Sequence, residues 1–389
     1  MPTSKLNYEA QVESHALTAP AKLDITPDGV ALTTPFNPVF IPFADVTAFS
    51  RAGQTAVIAT GYDRFTISRL GSLLDAFYLE LYATFDVKVG KALFVASEPD
   101  FETEGVFHYT EAGREENGQA RVRVYADCIG VFPPDDRARR IPFAFAVGMR
   151  TGSFELSLML DGGDTYDFLR LGRDQDAFAA CVTAKLHAYR ENAIDAVRAL
   201  DTSLRPAALT AIAAKMPQGV AVAMGELASI APTYVAALEA SIATTKAADT
   251  YAALQTMCTP GDICVGMKTG LAGEDKDNIL WMIAPSATKP VAAVEFAVAE
   301  ETAAATFVYR IAGDRTDFVR RLNRAMEAID FHREVISMSE DDLNRSENDH
   351  YAMAVRRTAA LRFMRENLLG RVIHASLDSW TSDVRGYLT

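Results

Sequence analysis

Two short boxes in the C-terminal half contain residues that could perform nucleophilic chemistry. Lys268-Thr-Gly270 supplies a lysine and Ser286-Ala-Thr-Lys289 supplies a serine, the residue types with which penicillin-recognising enzymes form an acyl-enzyme. In those enzymes the serine box precedes the lysine box, whereas here the order is reversed. The chain has no Gly-x-Ser-x-Gly motif and no phosphate-binding loop ending in Gly-Lys-Ser/Thr. We therefore expect no enzyme activity and assign no catalytic residue.

Residues of the types that bind metals are present, but they are not spaced as ligands. Five residues separate Cys258 from Cys264, more than the roughly two to four residues of a zinc knuckle. No two histidines lie three or four residues apart, so no helical metal site is indicated. The six histidines are His15, His108, His187, His332, His350 and His374. The sequence predicts no metal site, no cofactor and four reduced cysteines, Cys128, Cys181, Cys258 and Cys264.

The charge balance constrains the partners. The 389 residues contain 38 Lys and Arg against 51 Asp and Glu, which gives a formal net charge of −13. Because an acidic surface repels phosphate, we expect no nucleic-acid partner, and anionic membranes are disfavoured. The N-terminal residues lack the apolar core of a signal peptide. No segment has the roughly 20 apolar residues needed to span a bilayer. These features predict a cytoplasmic protein.

An internal repeat organises the N-terminal half. Ile41-Pro-Phe-Ala44 recurs as Ile141-Pro-Phe-Ala144, and Arg69-Leu-Gly71 recurs as Arg170-Leu-Gly172. The offset is 100 residues for the first pair and 101 for the second. The two copies are therefore expected to share one structure, and the second copy has one extra residue between Ala144 and Arg170.

Each copy changes its apolar period from strand to helix. Short runs of β-branched and aromatic residues, separated by Pro, Gly and Asp, predict several antiparallel strands. After Gly71 and after Gly172, apolar residues recur every four positions. These residues are Phe77, Leu81 and Phe85 in the first copy and Phe178, Val182 and Leu186 in the second. Such a stripe predicts one helix that covers the open side of each small sheet.

Taken together, these patterns resemble the bacterial pleckstrin-homology-like (PH-like) domains. The residues that carry the resemblance are Asp28-Gly29, Ile41 to Val46, Phe65 to Ile67 and the helix from Ser72, and then Ile141 to Ala144, Asp167-Phe168 and the helix from Asp174. The resemblance implies an α+β fold class, with tandem small antiparallel β-barrel or sheet domains that are each capped by a C-terminal helix. It implies no chemistry, because such domains mostly present surfaces to peptides, proteins or lipid headgroups.

Five segments follow from this interpretation. We expect one PH-like domain with its capping helix over 1–86, and a second over 87–203 with an acidic insertion and a long capping helix. A helical insertion follows over 204–258. Residues 259–336 form an α+β unit, which is either a degenerate third copy or unrelated to the repeats. Residues 337–389 form a helical C-terminal segment.

Two details of these segments are specific enough to check. Glu98 to Asn117 carries seven carboxylates and one arginine, and we interpret it as a solvated acidic segment between the copies, with a hairpin through Gly105 to Tyr109 as its alternative form. Near the C-terminus, apolar residues recur at helical spacing on one predicted helix face. These are Leu361, Met364, Leu368 and Val372.

The function most consistent with the sequence is a non-enzymatic protein–protein interaction or scaffold protein. Its partner would be an unidentified protein or peptide, bound at an exposed strand edge or in the groove between the last strand and the helix. One alternative is a peripheral membrane protein that senses lipid headgroups. The strand loops that would hold a headgroup carry Asp28 and Asp127 instead of cations, which argues against it. A second, less favoured alternative is a hydrolase whose site is assembled from residues far apart in sequence.

Overall fold

The chain divides into two compact units. The computed structural model describes residues 7–35, 37–95, 97–111, 113–269, 278–298 and 305–389. The first unit comprises Met1–Ile141, Ala146–Cys181 and Met338–Thr358, and the second comprises Pro142–Phe145, Val182–Ser337 and Ala359–Thr389. The fold is α+β with antiparallel sheets, as the sequence predicts.

The first repeat is a seven-stranded antiparallel sheet followed by one helix. Its elements are β1 (Tyr8–Glu13), β2 (Thr18–Thr26), β3 (Gly29–Thr33), β4 (Val39–Pro42), β5 (Val46–Ala52), β6 (Thr55–Thr60), β7 (Arg64–Ser68) and α1 (Leu74–Ala92). The strand order is β4-β3-β2-β1-β7-β6-β5. Strand β1 therefore pairs with both β2 and β7, which joins the beginning of the repeat to its end.

The second repeat has the same strand order. Its elements are β8 (Phe101–Glu111), β9 (Arg114–Val124), β10 (Cys128–Phe132), β11 (Arg139–Pro142), β12 (Ala146–Thr151), β13 (Glu155–Leu160), β14 (Thr165–Leu169) and α2 (Gln175–Leu200). The sheet runs β11-β10-β9-β8-β14-β13-β12. Each strand therefore has a counterpart in the first repeat.

The strand register locates the inserted residue. Arg51 pairs with Ala56 and Thr151 pairs with Leu156, so the offset between repeats is 100 on both of these strands. In the next strand pair Ala56 faces Ile67, whereas Leu156 faces Phe168, and the offset becomes 101. The insertion therefore lies in the turn between β13 and β14.

The hairpin expected through Gly105 to Tyr109 is present, but the interpretation of Glu98 to Asn117 as a solvated segment between the repeats is wrong. Most of these residues form the β8–β9 hairpin, which is the counterpart of β1–β2. Glu102 and Glu104 face Arg123 and Arg121 across the hairpin and form ion pairs of 2.6 Å and 3.3 Å with them. The carboxylates are thus part of the ordered sheet, because cross-strand arginines compensate them.

The predicted helical stripes are confirmed in both repeats. Phe77, Leu81 and Phe85 are buried on α1, and the ring of Phe77 meets Tyr8 of β1 edge to face at 5.2 Å. Phe178 is buried on α2 and meets Phe168 of β14 at 5.3 Å. Val182 and Leu186 of α2 are also buried, but they belong to the second unit. Helix α1 therefore covers its sheet along the whole stripe, whereas α2 contacts its sheet through Phe178.

The remaining elements complete both units. They are α3 (Pro206–Lys215), β15 (Val222–Ala223), α4 (Met224–Ile230), α5 (Pro232–Ile242), α6 (Ala248–Met257), β16 (Cys264–Thr269), β17 (Asn278–Pro285), β18 (Val291–Val298), β19 (Ala305–Arg310), α7 (Arg315–Ala328), α8 (Glu334–Ser337), α9 (Glu340–Leu343), α10 (Asp349–Arg357), α11 (Ala359–Asn367), β20 (Leu368–Ile373) and α12 (Leu377–Leu388). Helices α9 and α10 belong to the first unit, where α10 packs on α1, and the other elements belong to the second.

The sheet of the second unit has a different topology from the repeats. Its six strands follow one another in chain order, from β15 to β20. For 259–336 the sequence leaves open a degenerate third copy or an unrelated unit; among the described residues, the first and last strands of this sheet do not pair with each other as they do in the two repeats. Trp281 of β17 and Trp380 of α12 are fully buried in this unit. No helix in the described part of the chain is both long and apolar enough to cross a bilayer.

The C-terminal segment 337–389 is helical except for one strand. The predicted apolar helix face is wrong for Leu368 and Val372, because both lie in β20, which pairs with β19. Helix α11 ends at Asn367, and Leu361 and Met364 are buried on it. Pairing with a sheet edge has overridden the helical spacing of this segment.

Candidate functional site

The two boxes with nucleophilic residues are parts of the scaffold of the second unit. The buried Ser286 hydroxyl donates to the carbonyl of Leu388 and accepts the backbone N–H groups of Thr288 at 3.1 Å and Lys289 at 3.0 Å. Lys268 is buried and forms an ion pair of 2.9 Å with the buried Glu327. This serine holds a turn and this lysine compensates a buried carboxylate, so neither is placed to act as a nucleophile or a base.

One histidine–carboxylate pair is assembled from distant segments of the second unit. His374 Nε2 lies 3.2 Å from Glu295 Oε2 and 3.0 Å from Thr306 Oγ1. The Thr306 hydroxyl also donates to Glu295 and accepts from the indole N–H of Trp380. In a catalytic triad the carboxylate and the nucleophile contact different imidazole nitrogens, whereas here one nitrogen contacts both. Because Thr306 is also fully buried, this cluster is a polar network in the core and not the site of a hydrolase.

The cysteines show the properties of core residues. Cys128, Cys258 and Cys264 are free and buried, whereas Cys181 is half-buried. Burial raises the pKa of the Cys128 and Cys264 thiols to about 12 and that of Cys258 to about 11. These thiols are therefore protonated and weakly nucleophilic near neutral pH. Within the described residues, no three His, Cys, Asp or Glu side chains are grouped so that they could hold a metal ion.

The acidic strand loops are both neutralised by nearby cations. Asp28, between β2 and β3, accepts from the ammonium group of Lys88 at 2.9 Å, and Lys88 also binds Asp349 of α10 at 2.6 Å. In the second repeat Asp127 pairs with the guanidinium of Arg140 at 2.6 Å. The cations beside these loops are already engaged by carboxylates, which disfavours a phosphate group there.

Within the first unit, the first repeat binds a segment of the second along the edge of its sheet. Strand β5 is the last strand of its sheet, and its outer edge faces the chain between β10 and β11. The backbone N–H of Phe49 donates to the carbonyl of Pro134 at 2.9 Å, and Ala48 forms a β-bridge with Asp135. The Tyr82 hydroxyl on α1 donates to the carbonyl of Phe132 at 2.7 Å. This contact is a short strand addition made within one chain.

A buried carboxylate joins the same two repeats. Asp86 on α1 is buried, and its Oδ2 accepts from Arg121 at 3.0 Å and from Arg123 at 3.2 Å, both on β9. Its Oδ1 is buried and has no hydrogen-bond partner. Burial raises the pKa of Asp86 to about 7, although the two guanidinium groups oppose this shift. The contact between the repeats therefore contains an ionisable group that titrates near neutral pH.

An open cleft of about 560 Å³ lies beside this contact and is the candidate functional site. It is lined by Arg51, Asp75, Tyr78, Leu79, Tyr82, Glu104, Gly105, Val106, Gln119, Ala120, Arg121, Pro134 and Arg170. Part of its lining is aromatic and cationic, since Arg121 stacks on Tyr82 at 4.1 Å and Arg51 lies 5.9 Å from the ring of Tyr78. Both arginines also pair with lining carboxylates, Glu104 and Asp75. Leu79 is 58% exposed within it. The cleft thus combines an exposed apolar anchor with arginines and tyrosines, the residue types that are enriched at protein interfaces.

Sequence reasoning did not find this cleft, although one signal for it exists. Tyr78 and Tyr82 lie four residues apart on α1, and the register of the two repeats places Ala179 and Thr183 at the corresponding positions of α2. Aromatic residues present in only one copy of a repeat are not needed by the shared fold. This difference between the copies could have indicated a surface specific to α1.

Comparison with protein-family models and with curated proteins gives no match to this chain.

Proposed function

We propose that the two repeats are tandem PH-like domains and that the protein is a non-enzymatic interaction or scaffold protein. The support for the domain type is the topology that both repeats share, in which seven antiparallel strands are followed by one C-terminal helix that closes the sheet. The partner is a protein or peptide whose identity the chain does not specify. The proposal includes a cytoplasmic location, in which free thiols such as those of Cys128, Cys258 and Cys264 persist.

The observation that carries the proposal is that β5 already binds polypeptide. Phe49 and Ala48 hold Pro134 and Asp135 by backbone contacts that do not depend on the identity of the bound side chains. The cleft continues directly from this point, because Arg51 of β5 and Pro134 both line it. A partner segment in the cleft would therefore lie beside a strand edge, with its side chains against α1.

The lining of the cleft indicates which side chains it would hold. Leu79 and the tyrosine rings offer apolar contact, and the exposed Arg170 adds a cation to the lining. A tyrosine–arginine surface of this kind supplies the residues that most often carry binding energy in interfaces. Arg51 and Arg121 already pair with carboxylates of this chain, so Arg170 is the cation that a partner carboxylate would contact. We therefore expect a partner segment with a large apolar side chain and one carboxylate.

The test compares two exposed apolar residues of the same helix. Leu79 lies in the cleft, whereas Val87, at 64% exposure, does not line it. The L79R variant is expected to lose co-purification of the partner from cells that express the protein, and V87R is expected to retain it. Equal recovery with both variants would show that the cleft is not the binding site.

A further inference from the structure

The second repeat exposes the strand edge that the first repeat has covered. Strand β12 is the last strand of the second sheet, as β5 is of the first. Met149 corresponds to Phe49, because Met149 pairs with Leu158 of β13 as Phe49 pairs with Ile58 of β6. Among the described residues no strand pairs with the outer edge of β12. Met149 therefore presents its backbone at the position from which Phe49 donates to Pro134.

The side chains around β12 leave an apolar surface in contact with solvent. Val147 on β12 is 65% exposed and Phe154 in the following turn is 82% exposed, while Met159 on β13 is also exposed. Phe49 is fully covered at the equivalent place in the first repeat, but Met149 is only partly buried. An apolar edge strand to which no further strand is paired is a site where other polypeptides pair, and natural proteins usually protect it.

We propose that the β12 edge binds an extended, acidic, proline-containing segment of a partner protein by strand addition. The model for this partner is the segment of this chain that β5 binds, Pro133-Pro-Asp-Asp136. In that segment the carbonyl of Pro134 accepts from the backbone N–H of Phe49. Proline suits this role because it accepts hydrogen bonds but offers no N–H group that would be left without an acceptor. The acidic character follows from Arg150, which stands where the first repeat has Ser50. Its side chain is 72% exposed and makes a long, exposed ion pair of 3.7 Å with Glu155, a kind of contact that contributes little and that a closer partner carboxylate would replace.

The contacts that stabilise the first edge are not repeated at the second, which argues against a second copy of this chain as the occupant. Around β5, Tyr82 and Asp86 of α1 bind Phe132, Arg121 and Arg123. In the second repeat, Thr183 and His187 of α2 stand where α1 has Tyr82 and Asp86. If the first repeat of another copy bound the β12 edge, its strand β2 would present Lys22 in place of Arg121 and Asp24 in place of Arg123. A contact between the second repeat of one copy and the first repeat of the next would thus lack the counterpart of the Asp86 carboxylate and the counterpart of the Arg123 cation.

The experiment uses the chain's own segment as the probe. A fluorescent peptide with the sequence of residues 130–138 is titrated into the full-length protein, in which the β5 edge is already filled. We expect saturable binding, which M149P weakens at least tenfold because proline removes the edge N–H. The matched variant M149A keeps that N–H and is expected to change the affinity less than threefold. A peptide carrying D135N and D136N is expected to bind more weakly than the parent peptide.

A second measurement does not depend on how the proline variant folds. Hydrogen exchange of the wild-type protein is followed with and without the peptide, and new protection is expected on residues 147–151. L79R is expected to leave this binding unchanged, so the result at β12 is independent of the cleft. Absence of binding at millimolar peptide, or protection elsewhere only, would overturn the proposal. A dimer with β12 protected in the absence of peptide would also overturn it, since the occupant would then be a second copy.

Discussion

Removal of the Asp86 carboxylate is expected to loosen the contact between the two repeats in the first unit. In the D86A variant, Arg121 and Arg123 lose the oxygen that both contact at 3.0–3.2 Å in a buried environment. Breaking a buried ion pair from one side costs about 3–5 kcal/mol. We expect the lower end of that range, since Glu104 and Glu102 still pair with the two arginines.

The D86N variant removes the charge of residue 86 but keeps the size of its side chain and one acceptor oxygen. Asparagine keeps an acceptor oxygen for the arginines and removes the titration, so its cost near pH 7 is expected to be smaller than that of D86A. The pKa of Asp86 is about 7 in the folded protein, and an unfolded aspartate has a pKa of about 3.9. Between these two values the folded state binds more protons than the unfolded state. The stability that Asp86 provides therefore falls as pH rises from about 4 to 7 and is constant above that window.

The assay is hydrogen exchange read by mass spectrometry at several pH values, with rates corrected for intrinsic exchange. Peptides from α1 and β9 report on the contact, and peptides from β17 and β18 in the second unit serve as the internal control. We expect α1 and β9 to exchange faster in D86A than in the wild type. We also expect these elements to be better protected in the wild type than in D86N at pH 5, and this difference in protection to shrink by pH 8. Unchanged exchange in D86A, or an advantage that grows with pH, would refute this account of Asp86.

Three further predictions concern the core, the membrane and the thiols. Truncation of Phe77 or Phe178 to Ala is expected to cost about 3–5 kcal/mol in denaturant unfolding, because both rings are fully buried; unchanged unfolding midpoints would show that the helices do not close the sheets. The protein is expected not to co-sediment with phosphatidylserine or phosphoinositide vesicles at about 0.15 M salt, where the screening length is roughly 8 Å; salt-sensitive sedimentation would favour a lipid-headgroup sensor. The native protein is expected to react slowly with a thiol reagent at Cys128 and Cys264 compared with the urea-unfolded chain, because both are buried with raised pKa values; equal rates would contradict their placement in the core.

Much of the architecture of the repeats could be predicted from local patterns. The helix stripe that contains Phe77 and the offset between Gly71 and Gly172 both come from short-range regularities that the fold requires. Strand β1 was not predicted, although Tyr8, Ala10 and Val12 alternate with exposed residues as in a half-buried strand. The signal was present, but it lay upstream of the residues that match between the repeats.

The candidate site depends on contacts that no local pattern specifies. Asp86 and Arg121 are 35 positions apart in different repeats, and Arg123 stands where the first repeat has Asp24. A hairpin through Gly105 to Tyr109 could be expected from the sequence, but its place inside the second sheet could not, because its charges are compensated across strands and not along the chain. Strand β20 was assigned to a helix because helical spacing does not show that β19 offers a free edge. Tertiary pairing decides in each of these cases.

The most direct test of the proposed function is photo-crosslinking from the cleft in living cells. A photoreactive amino acid replaces Leu79 in one variant and Val87 in another, two residues of similar exposure on the same helix. The account predicts a discrete crosslinked protein from position 79, its absence from position 87, and its loss when Y78A and R170A are added to the position-79 variant. Equal crosslinking from both positions, or none from position 79 at native expression levels, would contradict the cleft as a protein-binding site.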